Sequence, residues 1–141
     1  CMGSNPYVNI LFNTFAAADY GLDVYACSSV LVDDNIFTDI YTKAIQLNFN
    51  GWPIQRSIIK NIFYDYTASD ETGTIPIFED PKLANISTGD FHLTHGSAAI
   101  DRERPPGTDI DIDGDPRPVG SGYDLGADEY CKKYYMPLLM K

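Results

Sequence analysis

One motif, Asn-x-Phe, occurs three times in the sequence, as Asn13-Thr14-Phe15, Asn35-Ile36-Phe37 and Asn61-Ile62-Phe63. The copies are 22 and 26 residues apart, and each one follows an apolar stretch that is typical of a β-strand. A second apolar stretch follows the first two copies, with Leu22 and Val24 spaced like Ile45 and Leu47. Two or three short strands in every 22–26 residues, with no helix between them, indicate the coils of a parallel β-solenoid.

The stacking of successive coils explains why these residue types repeat. Each strand of a solenoid pairs with its counterpart one coil away, and asparagine suits the bends because it tolerates left-handed backbone. We therefore predict an asparagine ladder of Asn13, Asn35 and Asn61 and a core stack of Phe15, Phe37 and Phe63. A chance recurrence in a β-sandwich is the alternative, and the in-phase repeat of the second strands favours the solenoid.

Length and charge limit the possible functions. The 141 residues are 44% hydrophobic, which is enough for one core, and one domain is expected. Ten basic and 20 acidic residues give a net charge of −10, which argues against binding to nucleic acid or to an anionic membrane surface. No apolar run approaches the roughly 18 residues of a membrane-spanning helix, so direct membrane insertion is not expected.

The second half of the sequence carries a series of short motifs. They are Phe78-Glu79-Asp80-Pro81, Gly89-Asp90-Phe91-His92-Leu93, Gly96-Ser97-Ala98-Ala99-Ile100-Asp101, Asp111-Ile112-Asp113-Gly114-Asp115-Pro116-Arg117-Pro118 and Tyr123-Asp124-Leu125-Gly126-Ala127-Asp128-Glu129-Tyr130. This series resembles the C-terminal part of bacterial right-handed parallel β-helix proteins of the pectin-lyase-like superfamily, in particular the choice-of-anchor Q domain proteins. Together with the Asn-x-Phe coils, the resemblance covers about residues 7–130.

The resemblance implies a fold and a location. The fold is an all-β, right-handed parallel β-helix of about three coils with an irregular C-terminal closing segment, whereas relatives usually have many more coils. Residues 1–70 are then the coils, residues 71–130 the closing segment, and residues 131–141 a tyrosine- and leucine-rich tail. The location is secreted or at the cell surface, outside the cytoplasm.

For such a chain we expect a non-enzymatic, structural role without a cofactor. An open first coil exposes strand edges, and nothing in residues 1–7 is typical of a solenoid cap. The open end is expected to join a second copy or upstream coils of the same protein. The tail has three lysines and no acidic residue, so it could lie across the last coil or dock on an acidic neighbouring subunit.

A polysaccharide-binding or polysaccharide-degrading β-helix is the alternative function. Paired carboxylates at Asp33 and Asp34 could activate water and protonate a leaving oxygen, and Arg56 or Lys60 could serve as the base of a lyase. Salt bridges between neighbouring coils are the favoured interpretation of the same four residues. Exposed tyrosines suit stacking on sugar rings and contacts with a protein equally well.

The closing segment contains a candidate calcium site. Asp109, Asp111 and Asp113 alternate before Gly114, as in the first half of a calcium-binding loop. The later position that needs a bidentate glutamate is a glycine here. Either Ca²⁺ binds to these aspartates, or Arg117 pairs with one or two of them in a loop that wraps the solenoid.

The cysteines and histidines give weaker signals. Cys1, Cys27 and Cys131 are odd in number and lack a CxxC spacing, so a metal–thiolate site is not expected. One disulfide with a leftover thiol and three free thiols both remain open. His92 lies between Phe91 and Leu93 and is expected to face solvent in an edge strand.

Overall fold

The computed structural model describes residues 7–25, 29–48, 55–103 and 108–131. These residues form eight β-strands and one short 3₁₀ turn, with no α-helix among them, so the prediction of an all-β chain is confirmed. No helix in these ranges is long and apolar enough to cross a membrane. The predictions for Cys1, Cys27 and tail residues 132–141 fall outside the described part of the chain.

Six of the strands form two parallel sheets. The strands are β1 (Tyr7–Leu11), β2 (Thr14–Tyr25), β3 (Ser29–Asp33), β4 (Ile36–Asn48), β5 (Gln55–Ile59), β6 (Ile62–Tyr66), β7 (Leu83–Asn85) and β8 (Asp90–Leu93), with the 3₁₀ turn at Ile86–Thr88. One sheet has the order β1-β3-β5 and the other the order β2-β4-β6, whereas β7 and β8 form a short antiparallel ribbon. We call the strand pairs β1–β2, β3–β4 and β5–β6 the first, second and third rungs.

The pairing register follows the repeat in the sequence. Phe15 pairs with Phe37, and Phe37 pairs with Phe63, in the sheet β2-β4-β6. Isolated parallel bridges from Ile59 to Thr74 and from Ile62 to Ile77 add part of a fourth rung. The parallel pairing of the strands is therefore confirmed.

The bends between the two strands of each rung have a left-handed residue immediately before each asparagine. The angle φ is +53° at Phe12, +58° at Asp34 and +46° at Lys60. This differs from the expectation that the asparagine itself would take the left-handed conformation. The side-chain amide of Asn35 instead donates to the carbonyl of Asp33 at 2.9 Å, and this bond closes the turn across the left-handed residue.

Two apolar clusters lie on opposite faces of the sheet β2-β4-β6. The inner cluster draws side chains from both parallel sheets and consists of Val24, Val30, Val32, Phe37, Ile40, Ala44, Ile45, Ile58 and Phe63. The outer cluster joins the sheet to the closing segment and consists of Ile36, Ile62, Leu93, Ala98, Ala99 and Leu125. Ile36 and Phe37 are neighbours and both fully buried, because successive residues of a strand point to opposite faces. The closing segment therefore covers a face that water would otherwise reach.

Candidate functional site

The asparagines of the three rungs form a hydrogen-bonded row. Asn35 Oδ1 accepts the main-chain N–H of Asn13 at 2.9 Å and its side-chain amide at 3.1 Å. Asn61 Oδ1 accepts the same two groups of Asn35, each at 3.0 Å. Beside this row the rings of Phe15, Phe37 and Phe63 are stacked, with centroids 4.8 and 5.2 Å apart and interplanar angles of 7°.

The two ends of the asparagine row differ. Pro76 takes the asparagine position of the fourth rung, because it precedes Ile77, which pairs with Ile62. Each asparagine donates to the side-chain oxygen of the next one, and proline has no side-chain oxygen that could accept from Asn61, so the row ends there. At the other end Asn13 is exposed, and its Oδ1 accepts no hydrogen bond from any described residue. The row is therefore closed at the fourth rung and open at the first.

A histidine and three aspartates meet in the closing segment. His92, on β8, has its Nδ1 2.5 Å from Asp90 Oδ1 and its Nε2 2.8 Å from Asp113 Oδ2. These hydrogen bonds, first with Asp90 and then with Asp113, raise the pKa of His92 to about 9. Possible metal-ligand atoms of His92, Asp113 and Asp128 lie within 4.8 Å of one another, and no second group of this kind occurs in the described ranges.

Asp128 forms the buried side of this cluster. It is 4% exposed, and its Oδ2 accepts the main-chain N–H of Leu93 at 2.6 Å. Burial raises the pKa of this carboxyl group. The side chain borders a surface cavity of about 310 Å³, which is also lined by His92, Asp113 and the exposed free cysteine Cys131.

The sequence alone did not indicate this cluster. His92 is 21 residues from Asp113 and 36 residues from Asp128, and no spacing or motif connects the three. The only available signal was the position of all three within the recognised closing motifs. Their meeting depends on how the ribbon and the later loop fold against each other.

The aspartates of the predicted calcium loop do not converge on one point. Asp111 Oδ1 accepts the main-chain N–H groups of Asp113 at 2.9 Å and of Asp115 at 2.8 Å, so it organises the loop itself. Asp113 turns toward His92, and Asp109 contributes its main-chain carbonyl to the N–H of residue 117 at 3.0 Å. This arrangement gives no support to a site made of these three aspartates.

Arg117 is buried and pairs with Glu129 instead of the loop aspartates. Its Nε donates to Glu129 Oε2 at 3.0 Å, and its Nη groups donate to the carbonyls of Gly126 (3.2 Å) and Asp124. The guanidinium also lies 4.9 Å from the ring centroid of Phe12 in the first rung. The expected pairing of Arg117 with the aspartates is therefore wrong, and the residue holds the closing segment together against the first rung.

Asp33 and Asp34 lie at the bend of the second rung, beneath the closing segment. Asp34 is 5% exposed, and its carbonyl accepts the N–H of Gly126 at 2.8 Å. The Oδ1 atom of each carboxylate is buried without a hydrogen-bond partner among the described residues. Burial, and next the charge of Asp33, raise the pKa of Asp34 to about 6, and burial also raises the pKa of Asp33. Asp34 is therefore covered rather than presented to a substrate.

Arg56 and Lys60 form ion pairs with closing-segment carboxylates. Arg56 pairs with Glu71 and Lys60 pairs with Glu103. Arg56, on β5, pairs with Val30, and Val30 is three residues from Asp33 along β3, which is about 10 Å. Arg56 does not join the two aspartates in one site. The Arg56–Glu71 pair joins the third rung to the partial fourth rung, as expected for salt bridges between neighbouring coils, whereas the Lys60–Glu103 pair joins the third rung to a later part of the closing segment.

The fold and the side chains define the chain as an all-β protein of stacked parallel strands with a histidine–aspartate cluster in its closing segment. No protein-family model matches the chain, and searches of curated proteins and of solved structures gave no match. Its function is therefore inferred from the geometry.

Proposed function

We propose that the chain is the closing end of a right-handed parallel β-helix and has a structural, non-enzymatic role in a secreted or cell-surface protein. The parallel rungs support this fold, and so does the resemblance of residues 78–130 to the ends of pectin-lyase-like β-helix proteins. One observation carries the proposal: the asparagine row is ended by Pro76 on one side and left open at Asn13 on the other.

The first rung is at the edge of both parallel sheets, and one more rung could pair with it. β1 and β2 each pair with one strand only, so their outer main-chain groups have no strand partner in the described ranges. Asn13 Oδ1 can accept two N–H groups, as Asn35 Oδ1 does from Asn13. A preceding rung with asparagine in the same position would satisfy both the strand edges and this oxygen.

Upstream coils of the same polypeptide fit this edge better than a second copy stacked head to tail. The opposite end of a second copy is covered, because Thr74 and Ile77 pair with the third rung there. Pro76 also offers no amide that could donate to Asn13 of another copy. We therefore assign the open edge to a preceding rung of the same protein.

Degradation of a polysaccharide is the weaker proposal. It needs two carboxylates that are open to the substrate, and Asp34 is covered by the closing segment. Lys60, a candidate base, is engaged by Glu103. A structural role requires neither group to be accessible.

An inserted rung tests the structural proposal. A second copy of residues 7–28, placed directly before Tyr7, adds 22 residues, which is the interval between the first two Asn-x-Phe motifs. We expect a monomer with a higher Tm, because the new rung covers the edges of β1 and β2 and donates to Asn13. Circular dichroism melts and analytical ultracentrifugation measure the two quantities.

The matched control is the same insertion with proline in the inserted copy of position 13, as the chain has at Pro76. It has the same length but cannot extend the asparagine row, so its Tm should stay near that of the original chain. An equal rise in Tm for both insertions would contradict the proposal. Dimerisation of the original chain that the inserted rung abolishes would assign the edge to a second copy instead.

A further inference from the structure

The cluster of His92, Asp113 and Asp128 joins three separate parts of the closing segment. His92 lies on β8, Asp113 lies in the loop that precedes Arg117, and Asp128 follows that loop. Their candidate ligand atoms are within 4.8 Å of one another and border the same cavity. One imidazole and two carboxylates thus face a common space.

The spacing of these atoms suits one cation. Neighbouring ligands about 2.1 Å from a first-row transition metal lie about 3.0 Å apart in octahedral geometry and about 3.4 Å apart in the tetrahedral geometry that Zn²⁺ prefers. His92 Nε2 and Asp113 Oδ2 are 2.8 Å apart, close to the spacing of adjacent ligands. All three candidate ligand atoms lie within 4.8 Å of one another. The side chain of Asp113 is 52% exposed, so it can rotate toward a cation that the other two residues share.

Asp128 points to a ligand independently of the other two residues. Its Oδ2 is held by the main-chain N–H of Leu93, but its Oδ1 accepts no hydrogen bond from the described residues. The residue is more than nine-tenths buried, but this oxygen is not one of the fully buried side-chain atoms without a partner, so it is open to the adjoining cavity. A cation in the adjoining cavity would supply the missing partner.

Asp90 contacts the other ring nitrogen of His92 and also supports a cation site. Its Oδ1 lies 2.5 Å from His92 Nδ1, which leaves Nε2 as the nitrogen that faces Asp113. A carboxylate on the second nitrogen commonly orients a metal-bound histidine. We propose that His92 Nε2, Asp113 and Asp128 bind one divalent transition-metal cation such as Zn²⁺, with Asp90 as a positioning residue.

The imidazole determines which class of cation fits. Nitrogen ligands favour Zn²⁺ and similar ions, whereas Ca²⁺ prefers a shell made of oxygen atoms. The site shares only Asp113 with the calcium loop predicted from Asp109, Asp111 and Asp113. A bound cation would link β8 to the later loop and thereby raise the stability of the closing segment.

Calorimetric titration of the metal-free, reduced full chain with Zn²⁺ tests this proposal. We expect one Zn²⁺ per chain and much weaker binding of Ca²⁺. His92→Gln and Asp128→Asn should each weaken Zn²⁺ binding by about 100-fold or more, and Asp90→Asn by about 10–100-fold. His92 is half exposed, so His92→Gln keeps the test valid even if Asp128→Asn fails to fold.

His95→Gln and Cys131→Ser are the matched controls. The chain has two histidines, and His95 lies outside the cluster, whereas the Cys131 thiol borders the same cavity. Both variants should bind Zn²⁺ like the original chain. Absence of Zn²⁺ binding, binding that His92→Gln leaves unchanged, or binding lost in Cys131→Ser would each overturn the proposal. So would Ca²⁺ binding that His92→Gln leaves unchanged and that exceeds the binding of Zn²⁺.

Discussion

Asp34 connects the second rung to the closing segment, and the burial of its carboxylate destabilises the folded chain. Its backbone is left-handed, with φ at +58°, and aspartate tolerates this conformation better than most residues do. Its carbonyl accepts the N–H of Gly126, while its carboxylate is buried beside Asp33. Burial raises the pKa of Asp34 to about 6, so its ionisation destabilises the folded chain at neutral pH.

We expect Asp34→Asn to increase the free energy of unfolding at pH 7 by about 1–3 kcal/mol, because one pKa unit corresponds to about 1.4 kcal/mol. The pKa of Asp34 is higher in the folded chain, at about 6, than its ordinary value of 3.8. Its contribution to stability therefore falls as the pH rises from about 4 to about 6. The advantage of the variant should grow over that range and then level off. Urea unfolding at a series of pH values measures it.

Asp39→Asn is the control for this substitution. Asp39 also has left-handed backbone, with φ at +52°, but its side chain is only half buried. The change in stability of this variant measures what the Asp-to-Asn replacement itself does in left-handed backbone, and it is subtracted from the change for Asp34→Asn. A gain for Asp34→Asn of the same size at pH 4 and pH 7 would show that ionisation is not its cause.

At the scale of elements, the closing segment docks on the second rung through Gly126. Its N–H donates to the Asp34 carbonyl, and the next N–H, from Ala127, donates to Thr14 Oγ1 at 3.1 Å. A Cβ atom on Gly126 would lie 2.6 Å from Ile36 Cδ1 and 2.8 Å from Thr14 Oγ1. Side-chain atoms of Ile36 and Thr14 therefore occupy the space that a Cβ atom at this position would need.

We expect Gly126→Ala to lower the free energy of unfolding by about 1–3 kcal/mol more than Gly114→Ala. Both glycines have left-handed backbone, with φ at +88° and +85°, so the conformational cost of alanine is similar at the two positions. A Cβ on Gly114 meets no atom within 4 Å, which isolates the steric effect at Gly126. Urea unfolding followed by circular dichroism measures both variants, and equal losses would contradict docking of the closing segment through Gly126.

In the molecule as a whole, the sheet β2-β4-β6 contributes side chains to both apolar clusters. Phe37 belongs to the inner cluster and its neighbour Ile36 to the outer cluster, so the sheet β2-β4-β6 has both faces buried. Loss of the closing segment would expose Ile36 and Ile62, and loss of the sheet would leave Leu125 without its packing partners. We therefore expect the rungs and the closing segment to unfold as one cooperative unit.

Native-state hydrogen exchange tests this cooperativity. The amide of Ile62 donates to Asn35 within the rungs, and the amide of Leu125 donates to Ala99 within the closing segment. Both should exchange with the same opening free energy and the same urea dependence. The amide of Gly114, in an exposed loop, should exchange faster as an internal reference. Exchange of Leu125 through a separate, lower-energy opening would contradict a single unit.

The all-β class and the parallel strand pairing could be predicted because their signals are local and periodic. Apolar stretches of strand length recur with the Asn-x-Phe motif every 22–26 residues, and repetition at such intervals places like residues beside like. No comparable period exists in the closing segment. Its contacts join residues far apart in the sequence, such as Thr14 and Ala127, which are 113 residues apart.

The sequence by itself therefore determined the strand-rich composition, the repeat interval and the turn-forming character of the second half. Only the tertiary structure decided where the charged side chains find partners. It placed Arg56 and Lys60 on closing-segment glutamates, and it brought His92 to Asp113 and Asp128. The physical reason is that strand pairing repeats along the chain, whereas a cluster of charges depends on how a non-repeating segment packs over it.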